Sequence, residues 1–255
     1  MKSVRPRAKI SKKKNFVRQG KAAKKKTPAE FWNDEYQTKE HFALSTEASE
    51  DLEKFVRFIE RNHNGFPRHW NVLDVACGNA RNGIFLAEHF TAHVTGFDIS
   101  KEAIAQGMKL AAGKRLRLNL SVGDLKNPLP VTDESQDIIL DMMSSHILNA
   151  SERVKFLNEV LRVLKPGGWF FVKTFLRDGD VNAERMIRDF PAGEEGSYLH
   201  PRIGYLEHAG TEVELNAFYG EHFDIEYKQK SHKHFSHGKP NKRRFIVYYL
   251  TKHKN

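Results

Sequence analysis

The stretch Val72-Leu-Asp74-Val-Ala76-Cys77-Gly78-Asn79-Ala80-Arg81-Asn82-Gly83 decides the fold. An apolar run meets an acid, then a turn of small residues, then a second apolar run (Ile84, Phe85, Leu86, Ala87) suited to a helix. That order puts a turn and a helix amino end at the carboxyl end of a parallel strand, where α/β folds bind nucleotide-like ligands. A glycine-rich turn alone is a weak signal, so the residues beyond it must say which ligand.

Asp98 stands 20 residues after Gly78 and ends a second apolar run beginning at His93, as an acid that holds ribose hydroxyls should. A third run, Leu116 to Val122, ends in Gly123-Asp124-Leu125, and a fourth, Asp137 to Asp141, meets a small polar stretch. A helix-period segment then leads to Val163-Leu-Lys-Pro166-Gly167-Gly168-Trp-Phe-Phe-Val172, read as a helix, a Pro-Gly stop and a fifth strand. Strands alternating with helices predict a parallel sheet with right-handed crossovers.

With these residues in view, the chain resembles the class I, Rossmann-like S-adenosylmethionine (SAM)-dependent methyltransferases. Asp74-x-Ala76-x-Gly78-x-Ala80 is similar to their first motif, and the likeness runs through Asp98, Gly123-Asp124-Leu125, Asp137 to Asp141 and Leu164-Lys-Pro-Gly-Gly168, over roughly residues 45 to 251. The resemblance implies an α/β fold with a seven-stranded mixed sheet, parallel except for an antiparallel last strand. Two family glycines are alanines here, at 76 and 80; alanine tolerates fewer backbone angles, so both are expected to keep negative φ with cofactor binding intact. The competing reading is a nicotinamide oxidoreductase, since Gly78-x-Ala80-x-x-Gly83 approximates its fingerprint. That fingerprint gives no purpose to Asp74 or Asp124, whereas a carboxylate at 74 can orient the turn and the amino group of a sulfonium amino acid.

At 255 residues the chain suits one α/β domain with extensions. Its single cysteine, Cys77, excludes an internal disulfide and fits a reducing, cytoplasmic setting. No apolar run approaches the roughly 20 residues of a membrane span, and no short apolar core follows the basic N-terminus as in a secretory signal. The net charge of +10 is partitioned: residues 1–27 hold 12 Lys/Arg and no acid, residues 228–255 hold 9 and no acid, and the body between holds 21 against 32 acids. Residues 1–27 therefore read as a disordered basic arm, ahead of a domain spanning 28–255 with a helical cap (28–65) and a Rossmann-like core (66–255). The arm suits RNA or another polyanion through counterion release; a solubilising tail and an organelle-targeting peptide remain open.

In the cap, Leu52, Phe55, Val56 and Ile59 recur at helical spacing, with Ser49 as the cap. Trp32, Tyr36 and Phe42 either enclose a sulfonium, whose charge aromatic faces attract, or simply pack; packing suits Trp32. Residues 176–210 form a long polar connection, which in this family shapes the acceptor pocket. Thr211 to Phe218 reads as a capped helix, and Phe223–Tyr227 and Arg244–Leu250 as strands six and seven. The turn joining them carries Lys228, Lys230, Lys233, Lys239, Lys242 and Arg243. In this topology it rims the cofactor side and points to a polyanionic acceptor.

Methyl transfer from SAM is an in-line displacement at an already activated carbon, so the protein must chiefly align the acceptor, exclude water and, for some acceptors, remove a proton. The resemblance places Gly78 with Ala76, Asn79 and Ala80 against the methionine portion and Asp98 on the ribose hydroxyls. It places Ile99 and Leu125 beside the adenine, Asp124 on its amino group and Asp141 near the sulfonium. His146 is either a base near neutral pH or a core or capping histidine. The segment after strand four lacks the Asn/Asp-Pro-Pro-aromatic pattern of many amino-group methyltransferases, which argues against adenine exocyclic-amine chemistry, and the commitment of Cys77 to the turn argues against a cysteine-nucleophile cytosine C5 mechanism. His232-x-His234-x-x-His237 lacks the acid or cysteine a metal site would add, and its lysine neighbours repel a cation, so no metal is expected. Gly78-Asn-x-Arg81-Asn82 also resembles tellurite- and thiol-methyltransferases. The expected function is SAM-dependent methylation of RNA or a ribonucleoprotein. The alternatives are a small-molecule or protein methyltransferase and a noncatalytic RNA-binding assembly factor.

Overall fold

The apolar run before the turn becomes a buried inner strand of a seven-stranded sheet. The computed structural model describes residues 26–40, 44–232, 235–236, 239–240 and 243–254, with backbone alone at 235–236 and 239–240. Helix α1 (Pro28–Thr38) starts at a Thr27–Glu30 capping box, and α2 (Glu50–Asn62) follows. Then come β1 (Asn71–Val75), α3 (Arg81–Phe90), β2 (His93–Asp98), α4 (Lys101–Gly113), β3 (Asn119–Val122) and β4 (Gln136–Met142). A single 3-10 turn (Ser145–Ile147) leads into α5 (Ala150–Val163) and β5 (Leu164–Phe175). The second half holds α6 (Val181–Asp189), the short pair β6 (Ser197–Leu199) and β7 (Leu206–His208), α7 (Glu212–Gly220) and β8 (Phe223–Lys230). A two-residue pair, β9 (Phe235–Ser236) and β10 (Lys239–Pro240), precedes β11 (Phe245–Lys252).

The sheet order is β3-β2-β1-β4-β5-β11-β8. β1 to β5 pair in parallel, while β11 runs antiparallel to both β5 and β8, so six strands share one direction and the last in sequence opposes them. Both faces are covered, so neighbouring residues on a strand feed opposite cores. Leu73, Ile139, Phe170 and Tyr248 pack with α5 and α7, whereas Val72, Ile138, Phe171 and Tyr249 pack with α2 and α3. Phe55 of α2 is fully buried and meets Tyr249, Phe171 and Trp169 at centroid distances of 4.9, 5.2 and 5.7 Å. The spacing predicted for α2 is thus the face it buries.

Two expectations are corrected. Pro166-Gly167-Gly168 is not a stop between helix and strand: α5 ends at Val163 and β5 begins at once, with the three residues inside it. The ladder to β4 shifts register between Gln136 and Ile138, and Gly167 has φ +74°, so the triplet is absorbed as an irregularity. Residues 176–210 are not a bare polar connection either, because they contain α6 and the β6–β7 hairpin. Asp180 caps α6 through Asn182 and Ala183 N–H. Strands of three residues are too short to show a period, which is why the composition hid them.

Candidate functional site

The turn after β1 sits on buried carboxylates. Asp74 is 2% exposed, with Oδ2 lacking a hydrogen-bond partner. Burial pushes its carboxyl up to about 7, offset in part by the Gly83 N–H, while nearby Asp98 pushes the same way as burial. The chain then passes through left-handed backbone at Ala76 (φ +48°), Gly78 (+58°) and Ala80 (+56°). The negative φ predicted for both alanines is therefore wrong. Closing the turn needs three left-handed residues, and alanine adopts that region at a cost of about 1–2 kcal/mol. At Ala80 burial offsets this, since its methyl lies in a small cluster with Ile84, Ile104, Ala111 and Leu120.

Asp98, at the end of β2, ties the turn to the next strand. Its Oδ2 accepts the Gly78 N–H at 2.9 Å and its Oδ1 the Ser100 N–H at 2.8 Å. Burial raises its pKa against those two bonds. Ile99 is half-buried beside it. Gly123 donates its N–H to the Asp98 carbonyl at 3.0 Å, which brings the 123–125 segment to the same edge. There Leu125 is buried and Asp124 half-buried, accepting the Lys126 N–H at 3.0 Å through Oδ1. The Asn79 side chain is tied to the segment before α2, donating through Nδ2 to the Ser45 carbonyl at 2.9 Å.

The structure adds a roof that the sequence left open. The Tyr36 hydroxyl stands 2.1 Å from where a Gly78 Cβ would lie and accepts the Asn79 N–H. Burial first, and Asp98 second, raise its pKa. Helix α1 is held there by Asn33, whose Oδ1 accepts from the Ser100 hydroxyl (2.9 Å), and by Gln106, which donates to the Tyr36 carbonyl (2.8 Å). Trp32 packs half-buried against Phe31 at 5.4 Å, and Phe42 lies outside the described residues. Of the basic arm, only Lys26 and Thr27 are described: Lys26 pairs with Asp34 at 2.6 Å and Thr27 caps α1.

At the end of β4, Asp141 is fully buried and its Oδ1 collects the Ser144 and Ser145 N–H groups and the Ser144 hydroxyl. Its Oδ2 has no hydrogen-bond partner. His146 is 8% exposed, edge-on to Phe175 at 4.7 Å, with Nδ1 unpartnered. Burial lowers its pKa to about 4, so the ring is neutral and a weak base at physiological pH. Facing it is a network invisible in the sequence. Arg243 donates to Asp180 (2.8 Å) and Tyr198 (2.5 Å) and covers the Phe175 ring at 4.1 Å, while the Tyr198 hydroxyl donates to Glu207. No residue spacing announces it, because its members come from four segments.

The basic turn between strands six and seven is partly spent internally. Lys228 and Lys230 share Glu212 at 2.8 and 2.7 Å, and Arg243 points into the network just described. Lys233, Lys242, His234 and His237 lie outside the described residues, as does the side chain of Lys239. Among the described residues no helix is long and apolar enough to cross a membrane.

Residues 72–168, from β1 into β5, match a family model described as a methyltransferase domain. The phthiotriol/phenolphthiotriol dimycocerosates methyltransferase of Mycobacterium tuberculosis is 40% identical over 103 residues, 39% of this chain and 35% of that protein. A SAM-dependent methyltransferase of Methanosarcina mazei shares the fold at a TM-score of 0.64 and 27% identity, over 76% of this chain and 97% of that one. A Burkholderia thailandensis N1-methyltransferase crystallised with S-adenosylhomocysteine superposes at a TM-score of 0.59 and 17% identity, over 80% and 78% of the two chains, a likeness of fold alone. The chain spans less than half the length of the curated relatives it matches. With the turn, the strand-end acids and the seven-stranded order, residues 72–168 form a methyltransferase domain, on the Rossmann-like fold that this chain shares with SAM-dependent methyltransferases.

Proposed function

We propose that this protein transfers the methyl group of SAM to an acceptor bound at the carboxyl ends of β4 and β5, and that the acceptor is RNA or a ribonucleoprotein. The bond from Gly78 N–H to Asp98 carries the reading of the donor side, because it joins the glycine turn to the acid of the next strand. A carboxylate has about four lone-pair sites, and Asp98 uses two, so capacity remains for ribose hydroxyls. Asp124 is half-exposed, with one accepted bond, and suits an exocyclic amino group. Ile99 and Leu125 supply apolar contact for the adenine, and Gly78 with Ala76, Asn79 and Ala80 holds the methionine end. The residues present fit the cofactor. SAM, when bound, supplies a methyl carbon already activated by its sulfonium.

The chain's own part is to orient the acceptor and exclude water. Asp74 braces the turn from beneath through Gly83. Asp141 gathers the 144–145 turn at the end of β4 through Oδ1 and keeps Oδ2 without a hydrogen-bond partner. Neutral His146 can accept a proton only weakly, which favours acceptors that lose theirs readily. The acidic body with basic ends supports RNA. A small-molecule acceptor is the second reading, favoured by the names of relatives such as the norajmaline N-methyltransferase of Rauvolfia serpentina and a fatty-acid O-methyltransferase of Mycolicibacterium smegmatis.

Calorimetry with SAM tests the donor side: wild type binds and Asp98→Ala loses at least tenfold in affinity. A wild type that fails to bind leaves the noncatalytic assembly factor. Labelled SAM in cell extract, followed by ribonuclease or protease, tests the acceptor. Ribonuclease-sensitive label is the expected result; ribonuclease-resistant label passing an ultrafiltration membrane establishes the small-molecule reading instead.

A further inference from the structure

A cavity of about 490 Å³ opens next to the turn, between the amino ends of α2 and α3 and the edge formed by β5, β8 and β11. Its walls carry Lys54, Arg81, Lys173 and Lys230 against two carboxylates, Glu50 and Asp51. Both acids are engaged: Asp51 takes Lys173 at 2.6 Å and lies 3.8 Å from Lys54, and Glu50 takes Lys54 at 2.8 Å. Arg81 gives one N–H to the Glu47 carbonyl at 2.9 Å and meets no carboxylate among the described residues. Lys230 must share Glu212 with Lys228. The recess therefore keeps a net positive balance: Arg81 meets no carboxylate among the described residues, and Lys230 has one only in common with Lys228.

The place of the cavity matters as much as its charge. Arg81 directly follows Ala80 of the turn. Asn82 accepts the Ser49 N–H at 2.9 Å and donates to Met142 Sδ at 3.0 Å, so one side chain links the cavity wall to the end of β4. A group held in the recess is anchored beside the methyl-transfer edge without occupying it.

We propose that this cavity is a phosphate subsite for the acceptor, gripping one phosphoryl group while the nucleophile reaches the donor. A tetrahedral phosphate anion matches both the positive balance and the convergence of cationic heads from α2, α3, β5 and β8. The orientation rests on the methyl-transfer reading; the binding does not. An RNA phosphodiester and the phosphate monoester of a small acceptor both present anionic phosphoryl oxygens, one charge in the first and up to two in the second, and the test separates them.

Full-length wild type, Arg81→Gln/Lys230→Gln and the surface control Lys101→Gln/Lys109→Gln are titrated against a fluorescent 12-nucleotide oligoribonucleotide across a salt series. The cavity variant is expected to bind about tenfold more weakly, with a log–log salt slope shallower by roughly one, and the control to match wild type. Lys54→Gln serves as a second variant, and thermal melts verify that each is folded. Unlabelled adenosine 5′-monophosphate that displaces the probe from wild type assigns the subsite to a phosphorylated small acceptor, and displacement by oligoribonucleotide alone assigns it to RNA. Cavity variants that keep wild-type affinity and slope for the oligonucleotide and wild-type affinity for the monophosphate overturn the proposal. S-adenosylhomocysteine binding, measured on the same wild-type sample, shows separately whether the methyl-transfer reading fails.

Discussion

The half of the sheet edge that carries Asp74, Gly78, Asp98 and Asp124 comes from one continuous run of chain between β1 and the segment after β3, whereas the half around Asp141 and His146 is assembled from distant pieces. Asp98 reaches Gly78 across 20 residues, while Arg243 reaches Asp180 across 63 and Lys173 reaches Asp51 across 122. In the contiguous half the Asp98 carboxylate is held by backbone N–H groups, with α1 added above it through Asn33 and Tyr36. The assembled half depends on specific charged side chains meeting. A site can thus hold a shared donor with local chemistry and a particular acceptor with long-range chemistry.

Substitutions in the two halves should separate donor binding from stability. The largest effect is expected for Gly78→Val, which combines a left-handed φ of +58° with a Cβ 2.1 Å from the Tyr36 hydroxyl. Calorimetry should show S-adenosylhomocysteine affinity falling at least about 100-fold. Asp180→Ala removes the partner of Arg243 and the cap of α6, and should lower unfolding free energy by about 3 kcal/mol in denaturant titration. Its cofactor affinity should stay within about twofold; a parallel collapse would mean that the two halves are not separable.

A third prediction concerns pH. The carboxyl of Asp74 titrates near 7 when folded, above its unfolded value of roughly 4, so this group favours the folded state at low pH and loses that contribution as pH rises through 7. Asp74→Asn keeps an acceptor for Gly83 and removes the buried charge. Its melting temperature should exceed that of wild type at pH 8 and approach it at pH 5. A difference independent of pH would show that Asp74 stays ionised or neutral throughout. The smallest effect is expected for Ala76→Gly, which relieves the φ of +48° at a half-buried position and should stabilise by about 1 kcal/mol in the same titration. Ala80→Gly should gain less, because its buried methyl is lost.

The contrast also explains what could be read beforehand. Strands one to four, α2 and α7 were legible because their periods and caps are local, as the buried face of Leu52, Phe55, Val56 and Ile59 demonstrates. The strand-end acids were legible by their spacing from the turn. The seat of Tyr36 on Gly78 was not, since no local pattern tells which face of α1 docks or onto what. Nor was the conformation of Ala76: intrinsic preference argued for negative φ, and closure of the turn overrode it. In the sequence Arg243 reads as one of a row of basic residues rimming the cofactor side, whereas in the structure Asp180 and Tyr198 draw it inward.

By itself the sequence determined the alternating order of strands and helices, the turn with its acids, and the uneven charge between body and ends, all of which depend on residues within a few turns of one another. Only the tertiary structure decided which cations remain unbalanced, which polar atoms are buried without partners, and where a cavity opens beside the turn. Those properties are sums over neighbours in space, and neighbours in space are set by how the layers pack.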